Sequence, residues 1–227
     1  MENVLEVRAL KKSYRVPGGA MKTVVDVPAL ALSRGEHVAF RGASGSGKTT
    51  FLNLVAGILE PDEGTVRVAG HELAALGQSQ RDRVRAEAIG YVFQTFNLLQ
   101  GYSALENVLM GMIFGRGADE RVARDLLSRV GLGRRMQHRP RELSVGQQQR
   151  VAVVRALASR PTLVLADEPT GNLDPASASD AMSLMRELCR EQEAALLVVS
   201  HGRDVLAQFQ TVLDFTRINR AATRAAA

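Results

Sequence analysis

Gly42-Ala-Ser-Gly-Ser-Gly-Lys48-Thr49 decides the fold of this chain of 227 residues. It matches the pattern G-x-x-x-x-G-K-[ST], in which glycines allow a tight turn and successive N–H groups point at phosphate oxygens. The apolar run at residues 36–41 predicts a strand before the loop, and residues 48–59 predict a helix after it. The positive end of that helix would strengthen the anion cradle. The stretch therefore predicts a phosphate-binding loop in an α/β fold.

The residue types of this loop also predict how it would hold a nucleotide. Lys48 would neutralise charge on the β- and γ-phosphates, and the Thr49 hydroxyl would coordinate Mg²⁺. We expect the following loop residues to bind the nucleotide: Gly42, Ser44, Gly45, Ser46, Gly47, Lys48, Thr49 and Thr50.

Hydrophobic patterning away from the loop indicates a largely parallel sheet. Residues 162–166 and 195–199 are apolar at every position, apart from Thr162, which is typical of central strands buried on both faces. Residues 65–69 and 89–93 predict two shorter strands. From residue 95 to about residue 159 the strand signal disappears and the periodicity becomes helical.

Two acidic residues and a histidine follow the predicted central strands. Asp167 ends one strand, where a carboxylate could hold Mg²⁺, and Glu168 could polarise the attacking water as a general base. His201 follows the next strand and could contact the γ-phosphate. These elements predict a P-loop nucleoside triphosphatase, and kinases, helicases and GTPases all fit them.

The segment Leu143-Ser-Val-Gly-Gln-Gln-Gln-Arg150 narrows the choice, because it resembles the LSGGQ signature of ATP-binding cassette (ABC) ATPases. The resemblance extends from about residue 4 to about residue 215. Gln94 resembles the Q-loop glutamine, Asp174 lies in a segment similar to the D-loop, and His201 resembles the switch histidine. Tyr14 resembles the aromatic residue that stacks on adenine.

This resemblance implies an α/β fold with a P-loop NTPase (RecA-like) core and a mostly parallel sheet. It also implies an antiparallel β subdomain near the N-terminus and an inserted α-helical subdomain. We expect a single ABC ATPase domain over residues 1–227, with about 1–94 and 160–216 as catalytic core and about 95–159 as the helical subdomain. Residues 217–227 are low in complexity and predict a disordered tail.

The resemblance further implies ATP and Mg²⁺ as cofactors and a homodimer with each ATP between two subunits. Ser144, Gly146 and Gln147 would bind the nucleotide of the partner subunit, at the start of a helix whose dipole suits a γ-phosphate. Gln94 would act in catalysis and as a metal ligand beside Thr49 and Asp167. An integral membrane permease is the other implied partner.

Two positions depart from the family pattern. Val145 replaces the first glycine of the signature pair, and valine tolerates positive φ poorly, so a glycine cannot be required there by the backbone. Gly202-Arg203 stands after His201 in place of the usual aspartate. The Val145 substitution and the flanking sequence resemble the lipoprotein-release and macrolide-export subgroup, which includes cell-division relatives.

Composition leaves the choice of partner open. The net charge of +5 would suit nucleic acid, acidic lipid or polyphosphate, as well as a solvated basic surface. A nucleic-acid-dependent ABC ATPase is an alternative, but residues 94–144 leave no room for its coiled-coil insertion, and no nucleic acid is expected. Transmembrane mechanical signalling without transport is a second alternative.

The expected location follows from hydropathy and from the resemblance. The sequence has no run of about 20 apolar residues and no signal-like N-terminus, and it has a single cysteine, Cys189. We expect a cytoplasmic protein bound peripherally to the cytoplasmic face of the cell membrane.

Overall fold

A computed structural model describes residues 3–224, whose strands form two separate sheets. In chain order the strands are β1 (Asn3–Arg15), β2 (Met21–Ser33), β3 (His37–Arg41), β4 (Glu63–Val68), β5 (His71–Glu72), β6 (Ile89–Val92), β7 (Leu163–Asp167), β8 (Ala195–Val199) and β9 (Thr211–Asp214). The first sheet is antiparallel in the order β2-β1-β4-β5, and the second is parallel in the order β6-β7-β8-β3-β9. The predicted parallel core and N-terminal antiparallel sheet are both confirmed.

Helices cover the sheets and fill the chain between β6 and β7. They are α1 (Lys48–Val55), α2 (Gln78–Ala88), α3 (Ala104–Ile113), α4 (Glu120–Arg129), α5 (Val145–Leu157), α6 (Pro175–Glu191), α7 (Arg203–Leu206), α8 (Phe215–Ile218) and α9 (Arg220–Arg224). Within residues 3–224, none of the helices has the length and apolar character that crossing a membrane requires.

The order of the parallel strands brings distant parts of the sequence to one edge. Every residue of β7 and β8 is buried, as expected for strands covered on both faces. β8 lies between β7 and β3, and all three run in the same direction. The loops that follow these strands therefore meet at the carboxyl edge of the sheet, where open α/β sheets bind ligands.

Helix α1 is shorter than the 48–59 helix predicted from the sequence. It ends at Val55 because Gly57 adopts a left-handed φ of 66°. The Gly57 N–H donates to the Leu54 carbonyl at 3.1 Å, and the Ile58 N–H donates to the Asn53 carbonyl at 2.9 Å. These two bonds form a Schellman motif that ends the helix.

The predicted disordered tail is wrong for residues 217–224. Residues 217 and 218 belong to α8, and α9 spans Arg220–Arg224. Asn219 has no exposed surface, and Ala221 is buried. Alanine has the highest intrinsic helix propensity, so a low-complexity, alanine-rich segment can still form a helix when one face packs. Residues 225–227 lie outside the described part of the chain.

Candidate nucleotide site

A cleft of about 580 Å³ opens at the carboxyl edge of the parallel sheet. Its lining comes from the ends of β7 and β8, the loops after β3, β6, β7 and β8, the first turn of α1 and one residue of β2. The lining residues are Val24, Gly42, Ala43, Ser44, Gly45, Gly47, Lys48, Thr49, Thr50, Gln94, Asp167, Glu168, Val199 and His201. Most of the predicted nucleotide, metal and catalytic residues are therefore brought together in one place.

The loop before α1 wraps around the ammonium group of Lys48. Lys48 Nζ donates to the carbonyls of Gly42 and Ala43, both at 2.8 Å, and lies 3.3 Å from Ser46 Oγ. Ser46 is buried behind this contact and does not line the cleft. Burial lowers the pKa of Lys48, while the nearby charges of Glu168 and Asp167 oppose that shift. The loop thus holds a cation at the start of α1.

Asp167 places a carboxylate opposite this loop. It is the last residue of β7, and the nearby Thr49 hydroxyl acts to lower the pKa of its carboxylate. Burial raises the pKa of Asp167, and the Thr49 hydroxyl and the Lys48 charge act against the rise. A buried carboxylate and a threonine hydroxyl that line the same cleft are oxygen ligands of the kind Mg²⁺ takes.

Glu168 and His201 form a close pair on the same side of the cleft. His201 Nδ1 lies 2.6 Å from Glu168 Oε1. Glu168 adopts a left-handed φ of 45°, which is uncommon for a residue other than glycine. Its N–H donates to the Val199 carbonyl at 2.9 Å, and its carbonyl accepts from the Gly171 N–H at 3.1 Å. Both sides of the residue are thus anchored, which holds the carboxylate in the cleft.

Gln94 lies where the cleft approaches a second groove, whose lining mixes apolar and charged side chains. Gln94 lines the cleft, whereas the preceding residue, Phe93, lines a groove of about 970 Å³ between α2, β6, α3 and α5. The Asn172 side chain donates to the Gln94 carbonyl at 3.0 Å. Two consecutive residues therefore connect the cleft and the groove.

Six predicted binding residues do not line the cleft: Ser46, described above, and Tyr14, Ser144, Gly146, Gln147 and Asp174. Ser144 caps α5, with its hydroxyl accepting from the Gln147 N–H at 3.3 Å while the Gln147 side chain accepts from the Ser144 N–H at 3.0 Å. Asp174 caps α6 by accepting from the Ser177 N–H at 3.0 Å. Tyr14 lies exposed on β1, with Lys12 Nζ 5.8 Å from its ring centre.

The two departures from the signature pattern fit the local backbone. Val145 is the first residue of α5 and is exposed, and its φ is not positive. Valine is therefore accommodated, as the sequence predicts. Gly202 precedes α7 with an extended φ of −70°, and its N–H donates to the Ser200 hydroxyl at 3.2 Å.

Sequence reasoning missed three residues at this site. Val24 of β2 lines the cleft and carries no chemical signal in the sequence. Gln149 is fully buried in α5 and donates to the Pro169 carbonyl, directly after Glu168, at 2.7 Å. Its polar side chain among apolar neighbours at helical spacing was the available signal. Asn219 hydrogen-bonds to Ser46 from a segment expected to be disordered.

The loop, the carboxylate at the end of β7 and the glutamate–histidine pair define a P-loop nucleotide site of the ABC class. A sequence model of the family described as "ABC transporter" matches residues 25–171. The chain therefore belongs to the ABC transporter family as an ATP-binding cassette, and such cassettes are ATPases.

Within this family the chain is similar to lipoprotein-releasing system ATP-binding proteins. It is 46% identical over 213 residues to that of Pseudomonas syringae pv. tomato, covering 92% of this chain and 93% of the relative. It is 44% identical over 219 residues to that of Xanthomonas euvesicatoria pv. vesicatoria, covering 94% and 88%.

Solved structures give the same assignment. A dimeric post-hydrolysis state of the cassette MJ0796, bound to ADP and Pi, has a TM-score of 0.84 and 34% identity, covering 92% of this chain and 93% of that one. A second dimeric structure of MJ0796, a bacterial ABC transporter cassette, also has a TM-score of 0.84, with 35% identity.

Proposed function

We propose that this chain is the ATP-hydrolysing subunit of an ABC system that releases or exports lipid-anchored cargo through a separate membrane permease. The observation that carries the proposal is the 46% identity to lipoprotein-releasing ATP-binding proteins over nearly the whole chain. A groove of mixed apolar and charged lining, joined to the nucleotide cleft through Phe93 and Gln94, supports the permease, because it offers a docking place coupled to the site.

Nucleotide binding would rest on the loop at the start of α1. Its N–H groups and the helix dipole favour phosphate oxygens, and the Lys48 ammonium would exchange one of its carbonyl contacts for a phosphate. Thr49, Asp167 and Gln94 supply oxygen atoms that fit Mg²⁺. When bound, Mg²⁺ would neutralise charge on the phosphates.

Hydrolysis would depend on Glu168 and His201. A carboxylate only accepts hydrogen bonds, so the proton shared with His201 lies on Nδ1 when Glu168 is ionised. This contact engages Glu168 Oε1 and leaves Oε2 to accept a proton from the attacking water as a general base. His201, which is exposed at the rim of the cleft, would contact the γ-phosphate.

A second copy of the chain would complete the site. Ser144, Gly146 and Gln147 start α5 outside the cleft of their own subunit, and in the head-to-tail dimer they would cover the γ-phosphate of the partner's ATP. Asp174 would lie at the same interface, and Tyr14 would stack on adenine. The dimeric MJ0796 cassettes support this assembly.

Gly146 gives the clearest support for such an approaching partner. Its φ is not positive, and a Cβ atom built there would meet no atom within 4 Å. The fold of one subunit therefore does not require glycine at this position. A close approach by another molecule is a different reason for the absence of a side chain.

We expect Gly146→Ala to lower kcat/KM for ATP about tenfold or more without lowering the melting temperature. The added methyl group would separate the start of α5 from the phosphate, and a hydrogen bond to a charged group contributes about 1.5–3 kcal/mol. Alanine in a helix is about 0.5–1 kcal/mol more favourable than glycine. A steady-state ATPase assay measures kcat/KM, and thermal melting measures the melting temperature of the same variant.

Gly101→Ala is the matched control, because Gly101 also lacks a positive φ and also has open space at its Cβ position. Both alanine variants should fold, and only Gly146→Ala should lose activity. Equal activity of the two variants would argue against a partner's nucleotide at Gly146.

The groove beside Gln94 would dock a cytoplasmic helix of the permease. Tyr91 and Phe93 stack along one wall, with ring centres 4.2 Å apart. Phe114 also lines the groove and exposes 73% of its surface. A groove with a stacked aromatic pair, an exposed phenylalanine and charged residues in its lining is suited to an amphipathic helix. Movement of the Phe93–Gln94 segment would connect nucleotide state to the docked helix.

Pull-down of the Glu168→Gln chain with ATP from native membranes in mild detergent tests this function. We expect an integral membrane protein with few transmembrane helices and a large extracytoplasmic domain. Phe114→Asp, in the same background, should lose at least nine tenths of that protein. Met21→Asp is the matched control, because Met21 exposes 63% of its surface on β2 and does not line the groove.

The proteins recovered would separate the possible functions. A permease with bound lipoprotein or lipid-anchored cargo supports release or export, and a permease bound to another periplasmic protein without such cargo supports mechanical signalling. Recovery of soluble proteins or DNA without any membrane protein would contradict the proposed permease partner. Recovery of DNA would also contradict the expectation that the chain has no nucleic-acid partner. We propose that the protein acts at the cytoplasmic face of the cell membrane. We also propose that residues 95–159 form its helical lobe.

A further inference from the structure

The segment after β9 contacts the phosphate-binding loop through residues that do not line the cleft. Phe215, the first residue of α8, is fully buried, and its ring centre lies 5.3 Å from that of Phe40 and 5.4 Å from that of Phe51. Phe40 belongs to β3 and Phe51 to α1, the two elements that flank the loop. This aromatic cluster fixes the start of the C-terminal segment against the base of the loop.

Asn219 extends from this segment and joins three parts of the chain. Its Nδ2 group donates to the Ser46 carbonyl and to the Val24 carbonyl, both at 2.8 Å. Its Oδ1 atom accepts from the Asp26 N–H at 2.7 Å and from the Ala221 N–H at 3.2 Å. Both donors and both acceptor positions of the amide are in use, which fixes the orientation of the side chain.

The bond to Ser46 sets the direction of the next N–H group in the loop. The Ser46 carbonyl and the Gly47 N–H belong to one planar peptide unit, in which C=O and N–H point in opposite directions. Because Asn219 bonds to this carbonyl, the Gly47 N–H is directed away from Asn219. Gly47 itself lines the cleft.

The Val24 carbonyl of β2 lies close to the same Ser46–Gly47 peptide. Gly47 has a left-handed φ of 91°, and a Cβ atom there would lie 2.5 Å from the Val24 carbonyl and 3.2 Å from Asn219 Nδ2. The Val24 carbonyl, the Asn219 amide and Gly47 are therefore packed so closely that a side chain at Gly47 does not fit. Val24 also lines the cleft, so Asn219 holds one residue of β2 and one of the loop in fixed relation.

We propose that Asn219 is a positioning residue for ATP binding, which fixes the Ser46–Gly47 peptide so that the Gly47 N–H is presented to the phosphates. This inference rests on ATP binding at the loop. It assigns to the C-terminal segment a part in the nucleotide site and not only in the fold. Asn219 acts through the backbone of the loop and does not itself touch nucleotide.

We expect Asn219→Asp to raise KM for ATP about tenfold, while kcat per folded chain stays within about twofold of the wild type. The variant keeps the two acceptor bonds to Asp26 and Ala221 but loses both donor bonds, including the one that orients the Ser46 carbonyl. An N–H contact to phosphate made equally before and during hydrolysis contributes uniform binding, whose loss changes KM more than kcat. ATPase kinetics and equilibrium binding of a fluorescent ATP analogue to the full chain measure both.

Asn107 supplies the matched control. It is also fully buried, its Oδ1 accepts from the Leu99 N–H at 2.8 Å, and its Nδ2 donates to the carbonyls of Leu99, Tyr102 and Ser103. It does not line the cleft. Asn107→Asp should reduce the folded fraction, and with it the maximal rate, while KM for ATP stays within about twofold of the wild type.

A purely structural role for Asn219 would give the same pattern as Asn107, with a lower maximal rate and an unchanged KM, and would overturn the proposal. Asn219→Ser keeps one donor and provides the same test if the aspartate variant does not fold. Absence of ATP binding by the wild-type chain would refute the proposed function as well. Wild-type binding with an unchanged KM in both Asn219 variants would refute this inference alone.

Discussion

Glu168→Gln should lower kcat for ATP hydrolysis by about 10²–10⁴-fold, the contribution expected of a general base. The glutamine side chain keeps the size of glutamate and can still accept from His201, but it cannot take a proton from water. ATP binding should persist, because the loop and Lys48 are unchanged. Phosphate release under saturating MgATP measures the rate, and binding of a fluorescent ATP analogue measures the affinity.

Glu193→Gln is a stringent control for this variant. Glu193 also has a left-handed φ, of 53°, and is also ion-paired, with Arg34 at 3.1 Å, but it does not line the cleft. Its substitution should leave kcat within about twofold of the wild type. Hydrolysis by Glu168→Gln at the wild-type rate would show that another group activates the water.

Lys48→Ala should weaken ATP binding about a hundredfold. The variant removes the cation that the loop holds beside Asp167 and Glu168, and hydrogen bonds to charged groups contribute about 1.5–3 kcal/mol, or roughly 10–150-fold in affinity. The buried Asp167 carboxylate would also lose the charge that opposes its raised pKa. Equilibrium titration with MgATP and with ADP measures the loss.

Lys11→Ala separates this effect from a general change in charge. Lys11 pairs with Glu63 at 2.6 Å on the surface, where such pairs contribute about 0–1 kcal/mol. Its removal changes the net charge by the same amount as Lys48→Ala, and ATP affinity should stay within about twofold. A Lys48→Ala chain that binds ATP as tightly as the Lys11→Ala chain would exclude Lys48 as a phosphate ligand.

The parts of the molecule that could be predicted from the sequence are those specified by local patterns. The loop at residues 42–49 requires its glycines and its lysine in order, and the flanking strand and helix follow from the same window. β8 is found at residues 195–199, as predicted, because a short run that is apolar on both faces has few other stable placements. Asp167 and His201 could be placed beside the loop because parallel strands end at one edge.

The features that sequence analysis missed depend on contacts between distant segments. Val24 reaches the cleft because β2 passes behind the loop, and Asn219 reaches Ser46 because Phe215 is anchored in the aromatic cluster. Neither residue type indicates these contacts by itself. The alanine-rich tail lacked an apolar periodicity, so its packing against β2 through Asn219 and Ala221 could not be predicted.

The predicted ligands at the start of α5 show a different limit. Ser144 and Gln147 bond to each other as a helix cap, and the structure of one chain places them away from its own cleft. Their proposed ligand belongs to a second subunit. A family motif can therefore identify such residues, although the fold of a single chain gives them only a capping role.

Light scattering on the Glu168→Gln chain, with and without MgATP, tests most directly whether two copies form the ATP site. The chain has a mass of 24.6 kDa, and we expect this mass without nucleotide or with ADP and twice this mass with MgATP. The Lys48→Ala, Glu168→Gln double variant should stay at the single-chain mass in every condition. A Glu168→Gln chain that binds ATP and remains a monomer at saturating nucleotide would contradict the composite site.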